Sequence, residues 1–409
     1  MKNKFGLLGE HLSHSHSPTL HALLGDYEYR LYEVSPGDVE DFLRTTDLDG
    51  MNVTVPYKKT VVPYCAELSL RARRAGCVNT LIRRDTGWYG DNTDIAGATL
   101  LLSRLGVPLR NKKTLIFGNG GAAAAFRAAL SDLGAGPVIT VSRSGPVTYD
   151  DLKDHRDARI LINATPLGMY PRVEGCPADP ADFPLAEAAA DAVYNPLRTE
   201  FLQRAETCGQ KTENGLSMLV AQAIDSAALF TGGSLPLPDT DRILSLLRGQ
   251  LENIVLIGMP GSGKTTLGNA LAQASGRPFF DTDELFLKKY GTTPAAFITA
   301  RGEAEFRPRE TAVLRELSVV TGAVIATGGG CVTRRENYPL LHRNGRILQL
   351  RRALSALSTA GRPLSEEAGL DRLYAEREPL YRRFADEVVE NNGTPEDAVR
   401  RIFHKEPQT

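Results

Sequence analysis

Short apolar, β-branched runs alternate with stretches of helical spacing from the first residues onward. "KFGLLG", "YRLYEV" and "MNVTVP" read as strands, and the segments between them as helices or loops, which predicts an α/β chain. The pattern restarts at "KKTLIFGNGGAAAAFRAALSDLG", where a strand, a glycine turn and an Ala-rich helix follow one another directly. That order begins a nucleotide-binding βαβ unit. Further strands are predicted at "PVITVSRS", "ARILINATP" and "ADAVYNP", each running into a loop at its C-terminal end, where open parallel sheets bind ligands. Gly, Pro and Ser then concentrate in "TGGSLPLPDT", and a helix-like "RILSLLRGQL" leads into "NIVLIGMPGSGKTT". A domain boundary is predicted at residues 231–240.

Size agrees with this division. A chain of 409 residues exceeds one ordinary core and predicts two to three domains. With 42% apolar and 24% charged residues and a formal net charge of −1, it has the composition of a soluble globular protein. Neither half carries a basic block, so no nucleic-acid partner is expected. The N-terminus lacks the apolar run and cleavage site of a signal peptide, and no apolar stretch reaches the ~20 residues of a membrane helix. Cys65, Cys77, Cys176, Cys208 and Cys331 are scattered and form no C-x-x-C pair. The expectation is a cytoplasmic protein, with no membrane partner, whose thiols are small core residues.

The first glycine loop sets Gly118, Gly120 and Ala123 in a G-x-G-x-x-A register, with Gly121 and Ala122 inside the turn. The first glycine permits a tight turn, the second lets a pyrophosphate approach the backbone, and the alanine allows close helix packing. The alternative is a merely structural turn. The next strand ends in Ser142-Arg143-Ser144 instead of a carboxylate, which suits the 2′-phosphate of NADP better than the free ribose of NAD. Otherwise Arg143 is a solvated surface arginine.

Three polar clusters precede that loop: "SHSHSP", "NVTVPYKK", and "CVNT" followed by "GDNTD". Hydroxyls, amides, a lysine and an aspartate could line a pocket for a polyhydroxylated small molecule. Lys58 and Asp94 are the predicted proton-transfer pair, because a lysine beside a carboxylate can serve a carbinol oxygen while hydride moves at the adjacent carbon. The alternative for Lys58 is a surface lysine with a buried stem. His14 and His16 have no partner at metal-ligand spacing, so no metal is expected there.

In order, "SHSHSP", "NVTVPYK", "GCVNT", "NTD", "GNGGAAAA", "NATPLGM", "DAVYNPLRTEFL" and "NGLSMLVAQ" resemble the shikimate dehydrogenase family across about residues 1–249. The resemblance implies NADP-linked reduction of 3-dehydroshikimate to shikimate, with Lys58 and Asp94 catalytic. It also implies that Ser15, Ser17, Thr54, Asn79 and Gln222 hold the substrate, with Tyr194 and Gly215 near substrate and nicotinamide. Two positions depart from the family pattern: Ile95 replaces the glycine of "NTDG", and "SRS" stands where "NRT" is common, without a further basic residue.

The second glycine loop, Gly258-x4-Gly263-Lys264-Thr265, follows an apolar strand and precedes a helix. Backbone amides of Gly261, Ser262, Gly263 and Thr266 would face nucleotide phosphates, Lys264 would neutralise their oxygens, and Thr265 could bind Mg²⁺. Downstream, "FFDTDELF" supplies Asp281 and Asp283, two carboxylates predicted to point the same way at a strand end. "GEAEFRPRE" adds Arg307 and Glu310, "ATGGG" a second turn containing Gly329, and "GRPLS" with "EREPLYRR" add Arg362 and Arg377. Converging arginines suit a small carboxylate-bearing acceptor.

These motifs resemble shikimate kinase over about residues 250–409. By that similarity Asp283 orients the attacking 3-hydroxyl, Asp281 holds Mg²⁺ through water, and Arg307, Arg377 and the Gly329 backbone bind shikimate, with Glu310 steadying Arg307. Arg362 would belong to a lid over ATP that stabilises the transferring phosphoryl group. Between Leu350 and Arg362 no residue matches the adenine-side arginine of some members.

The expected chain is thus a fusion. Residues 1–94 with 215–249 form an α/β substrate domain, 95–214 a Rossmann-like NADP domain, and 250–409 a phosphate-loop kinase with a parallel sheet. Its expected small molecules are 3-dehydroshikimate, shikimate, NADP(H), ATP and Mg²⁺; oligomeric state is left open. Two alternatives stand beside it: an active kinase joined to a regulatory module that has lost hydride transfer, and a first enzyme that also accepts quinate.

Overall fold

The computed structural model describes residues 3–12, 15–234, 239–357 and 369–403. It divides into two compact units, Met1–Asn195 with Thr199–Arg248, and Gly249–Thr409 with Pro196–Arg198. The division therefore falls inside the helix Thr240–Leu251, next to the expected start of the kinase part at residue 250 and beyond the Gly/Pro-rich stretch 231–240. Ile243, Leu244 and Leu247 explain the shift, since this helix buries an apolar stripe instead of spanning a solvated linker.

Two sheets build the first unit. Strands β1 (Lys4–Gly9), β2 (Glu28–Glu33), β3 (Gly50–Val53), β4 (Cys65–Leu68), β5 (Thr80–Arg84) and β6 (Gly87–Asp91) form the first, in the order β2-β1-β3-β5-β6-β4. It is mixed: β1 pairs in parallel with β2 and β3, whereas β5 runs antiparallel to β3 and β6. Every residue of β3 is buried, so the strand reads as a continuous run instead of alternating. The helix Leu216–Phe230 returns to this sheet from the end of the unit, and Phe230 stacks on Phe5 with ring centroids 4.4 Å apart. Burial of such aromatic faces dominates the local energetics.

Strands β7 (Thr114–Phe117), β8 (Val138–Val141), β9 (Ile160–Asn163), β10 (Ala188–Asp191) and β11 (Lys211–Glu213) form a wholly parallel sheet ordered β11-β10-β9-β7-β8. The chain leaves β7 toward β8 and comes back on the other side at β9. Its strand order reverses there, which opens a crevice at the carboxyl end of β7. The helix Gly121–Asp132 starts at that point and buries Ala123, Ala125, Phe126 and Ala129. Small side chains let it lie close to the sheet.

The second unit carries β12 (Asn253–Gly258), β13 (Phe279–Asp281), β14 (Val324–Ala326), β15 (Gly345–Arg351) and β16 (Glu387–Glu390), all parallel, ordered β13-β14-β12-β15-β16. Central β12 is buried throughout, and the phosphate loop runs from it into the helix Lys264–Ser275. Only Cys77 and Cys331 of the five cysteines are buried; Cys208 is exposed and Cys65 and Cys176 are half-buried, so most thiols are not core residues. None is paired.

Candidate active sites

The first site is built at the ends of β3, β5 and β6. Lys58 follows β3, and its carbonyl accepts from Val78 N at 2.8 Å, which ties that loop to the chain entering β5. Asp94 is the first residue of the helix Asp94–Arg104. Lys58 Nζ donates to Asp94 Oδ2 at 2.6 Å, so the lysine is a buttressed member of a pair and not a solvated surface residue.

Asn79 completes the arrangement. Its Nδ2 donates to Asp94 Oδ1 and to Thr93 Oγ1, both at 2.9 Å. Its Oδ1 accepts from Thr93 N at 2.7 Å and from Thr80 Oγ1 at 3.0 Å. All four groups are buried, where an unmade hydrogen bond costs about 1–3 kcal/mol, so the orientation of the amide is fixed. Sequence reasoning assigns Asn79 to substrate alone; the structure gives it a second task, aiming Asp94.

The remaining expected substrate groups are each fixed by local contacts. Ser15 Oγ donates to Ser17 Oγ at 3.1 Å, and Ser17 opens the helix Ser17–Leu24 with Pro18 next. Thr54 is half-buried and anchored by its backbone to Leu8 O at 2.9 Å. Gln222, half-buried, donates to Leu219 O at 2.9 Å. Tyr194 meets the His16 ring edge-on at 6.0 Å, and burial raises its hydroxyl pKa. Gly215 admits no side chain, because a Cβ would lie 2.0 Å from Ala192 O. His14 lies outside the described residues. Ile95 is buried among Ala98, Leu101 and Leu102 in the hydrophobic core.

The glycine loop at the carboxyl end of β7 has the backbone of a phosphate cradle. Gly118 has φ +105°, a backbone state that L side chains rarely adopt, and a Cβ would meet Ala164 O at 2.9 Å. At Gly120 the space is open, with nothing within 4 Å of a Cβ, which is the room a pyrophosphate needs. The helix that starts at Gly121, with Ala122 next, has no side-chain cap, so its first N–H groups are available to an anion. Ser142 is half-buried, and Arg143 and Ser144 are exposed at the end of β8. Arg127 was not singled out by the sequence: its guanidinium reaches Asn119 Oδ1 and Thr140 Oγ1, both at 3.3 Å, and places a second positive charge beside the glycine loop. Helical spacing from Gly121 is the signal that could have found it.

The second site lies along the carboxyl edge of the parallel sheet, in a cavity of 390 Å³ lined by Gly261, Gly263, Lys264, Thr265 and Thr266 of the phosphate loop together with residues from six other segments. Gly261 and Gly263 have φ of +84° and +93°. Ser262 is buried, and its carbonyl accepts from Asn391 Nδ2 at 2.7 Å. Lys264 Nζ donates to Gly258 O at 2.9 Å and Met259 O at 3.0 Å, which holds its charge at the loop.

Asp281 and Asp283 are not two positions of one strand. Asp281 ends β13, while Asp283 stands in the first turn of the helix Thr282–Tyr290. Asp281 Oδ1 caps that helix through Asp283 N at 2.9 Å, and its Oδ2 accepts from Thr265 Oγ1 at 2.7 Å. Asp283 is exposed where it opens onto the cavity, although the cavity walls crowd protein atoms around its carboxyl. Desolvation, helped by the charges of Asp281 and Glu310 and opposed by Lys264 and Arg307, pushes its pKa up to about 6.

Arg307 is ion-paired with Glu303 and, at 2.7 Å, with Glu310. A Cβ on Gly330 would sit 2.0 Å from its guanidinium, so the glycine turn and the arginine occupy each other's space. Gly329 packs on Pro260, and its carbonyl accepts the Tyr381 hydroxyl. Arg377 is buried and lines the cavity. Arg362 lies outside the described residues. Arg352, exposed at the cavity wall, is a site residue that sequence reasoning missed, because no motif surrounds it.

A dinucleotide crevice beside a lysine–carboxylate pair, followed by a phosphate-loop fold with an acidic, arginine-flanked cavity, defines an oxidoreductase joined to a kinase. The family model of the shikimate dehydrogenase substrate-binding domain matches residues 7–81, and that of shikimate kinase matches residues 260–406. The shikimate dehydrogenase (NADP⁺) of Clostridium beijerinckii is 33% identical over 268 residues, 61% of this chain and 99% of that relative. A chorismate mutase/shikimate 5-dehydrogenase fusion from Clostridium acetobutylicum has a solved structure that is 34% identical, with TM-score 0.56, over 60% of this chain and 97% of that one. A quinate dehydrogenase from Corynebacterium glutamicum, solved with NAD, is 26% identical with TM-score 0.53, over 60% and 98%. The chain belongs to the shikimate dehydrogenase family in its N-terminal part and carries a shikimate kinase domain in its C-terminal part. It is a bifunctional enzyme of the shikimate pathway. Among the described residues no helix is long and apolar enough to cross a membrane.

Proposed function

We propose that the first site interconverts 3-dehydroshikimate and shikimate with NADP(H), and that the second transfers the γ-phosphoryl group of ATP to shikimate. The observation that carries the first half is the 2.6 Å contact between Lys58 and Asp94, set next to the first turn of the glycine-loop helix: a Cβ on Gly121 would lie 3.3 Å from Lys58 Cδ. NADPH held on that helix would supply a hydride to the substrate carbonyl carbon. Lys58 gives a proton to the oxygen that becomes the hydroxyl, and Asp94 fixes the ammonium and balances its charge. In the reverse direction Lys58 takes the proton back. Ser15, Ser17, Thr54, Asn79, Gln222 and Tyr194 bring hydroxyl and amide groups to a polyol, with Gly215 leaving room at the nicotinamide side. Arg143 between two serines, with Arg127 behind the loop, supports the 2′-phosphate and hence NADP over NAD.

In the kinase half, Asp283 accepts the proton of the attacking 3-hydroxyl and orients it, while Lys264 and the amides of Gly261, Ser262, Gly263 and Thr266 neutralise the phosphates. Arg307, Arg377 and the Gly329 backbone bind the acceptor carboxylate and hydroxyls. The hydroxyl–carboxylate contact between Thr265 and Asp281 is a hard oxygen donor set that fits Mg²⁺, which would neutralise charge on the phosphoryl oxygens. The products of the two steps are shikimate and then shikimate 3-phosphate, made in the cytoplasm.

The test supplies 3-dehydroshikimate and NADPH, then adds ATP and Mg²⁺. Oxidation of NADPH followed by ADP release is expected. Absence of NADPH or NADH oxidation would overturn the dehydrogenase half, and absence of ADP with added shikimate would overturn the kinase half. The quinate relative supports a second reading of the first site; equal kcat/KM for quinate and shikimate would favour it.

A further inference from the structure

The kinase sheet places its parts in a fixed lateral order. Asp281 and Asp283 follow β13, Gly328–Gly330 follow β14, the phosphate loop follows β12, and Arg352 and Asn391 follow β15 and β16. Arg307, Glu310, Asp283 and the glycine turn therefore cluster on the β13–β14 side of Lys264, where Gly328 and Gly330 lie against Glu310 and Arg307. That side is the acceptor's. A nucleotide whose terminal phosphates rest on the loop must extend the other way, across the ends of β15 and β16.

Arg352 stands on that far side and lines the same cavity. Its neighbour Arg351 is ion-paired with Glu390, but Arg352 has no hydrogen-bond or ion-pair partner among the described residues. Its backbone is clamped: Asn391 N donates to Arg351 O at 2.7 Å, and Ala353 N donates to Asn392 Oδ1 at 3.0 Å. Asn391 also holds Ser262 O through Nδ2, so one asparagine pair sets Arg352 and the phosphate loop relative to each other. An exposed guanidinium with no carboxylate partner among the described residues, carried on backbone that is tied to the phosphate loop, is poised for a second anion.

We propose that Arg352 is a nucleotide-binding residue that contacts the phosphate chain on the side away from the acceptor. The inference rests on the kinase reading of this site, both in taking a nucleoside triphosphate as ligand and in placing the acceptor on the β13–β14 side. It supplies, from β15, positive charge on the side where sequence motifs offer none.

Equilibrium titration of the full chain with ATP alone reads this contact whatever the acceptor, and shikimate turnover tests the kinase reading separately. Arg352→Ala is expected to weaken ATP binding about tenfold, as loss of a charge-assisted contact does, and Arg352→Lys to stay within about threefold of wild type. The KM for shikimate should not move in either variant. Unchanged ATP affinity in Arg352→Ala would overturn the proposal. So would equal weakening by Ala and Lys, which would mean flat stacking on the base, or a matching rise in the shikimate KM, which would put the residue on the acceptor side.

Discussion

Asn79 and Thr80, neighbours in the chain, face each other through a hydrogen bond: Thr80 Oγ1 donates to Asn79 Oδ1 at 3.0 Å, and the Asn79 amide is thereby turned toward Asp94. Thr80 also accepts from Asn52 Nδ2 at 3.2 Å, and Asn52 in turn accepts from the Tyr29 hydroxyl at 2.8 Å. Thr80→Val removes the donor while keeping the shape. Dehydrogenase kcat should fall roughly tenfold with little change in the shikimate KM, because a misaimed acid–base pair costs rate more than binding. Thr80→Ser should restore most of it. Steady-state kinetics of the two variants check this, and an unchanged kcat in the valine variant would show that Asn79 holds its orientation unaided.

The two chemistries should separate by single substitutions. Lys58→Ala is expected to lower hydride transfer by about 10²–10⁴-fold and to leave ATP-dependent phosphorylation intact. Lys264→Ala should do the reverse. Parallel assays of NADPH oxidation and ADP release on each variant decide it; loss of both activities in a folded variant contradicts independent sites.

Kinase activity should carry an acid limb set by Asp283. Desolvation pushes its carboxyl up to about 6, and the ionised form is the one able to accept a proton, so kcat/KM is expected to fall as pH drops through that region. The direction follows from the sign of the shift: a raised carboxylate is protonated earlier on acidification than an ordinary one. Asp283→Asn should abolish most phosphorylation and, in the residual activity, the limb itself. A pH profile of kcat/KM for shikimate at saturating ATP measures both.

Asp191 carries a stability signature in the dehydrogenase half. Fully buried at the end of β10, it accepts from Thr199 Oγ1 at 2.6 Å, Val193 N at 2.9 Å and Asn163 Nδ2 at 3.0 Å, yet desolvation outweighs these donors and pushes its pKa up to about 7. A carboxyl raised in the folded state stabilises most below its unfolded value near 4, and that contribution is lost as pH rises to about 7. The amount is at most a few kcal/mol. Asp191→Asn should therefore flatten the fall in denaturation midpoint between pH 5 and 7.5, as followed by thermal melts. A slope identical to wild type would place the titration elsewhere.

Much of this was legible in the chain because phosphate-binding loops impose local rules. Gly118 and Gly263 need positive φ, Gly120 needs open space, and each requirement appears directly as a residue type. Lys58 and Asp94, 36 residues apart, were legible only through their surroundings, since nothing in their spacing brings them together. The aspartates of "DTD" misled in one respect: strand alternation predicts two carboxylates on one face, but Asp281 ends the strand by capping the helix that Asp283 enters. Arg127 and Arg352 stayed hidden because their roles come from tertiary neighbours, a glycine loop and a sheet edge, and no short motif encodes either.

The close approach of Gly121 to the stem of Lys58 means that the first turn of the glycine-loop helix and the lysine share one narrow space. A methyl group added there would lie 3.3 Å from Lys58 Cδ and push the stem aside. The single hydrogen atom at that position is thus part of the machinery, and redesign of the cofactor preference in this chain has to begin by leaving a residue without a side chain alone.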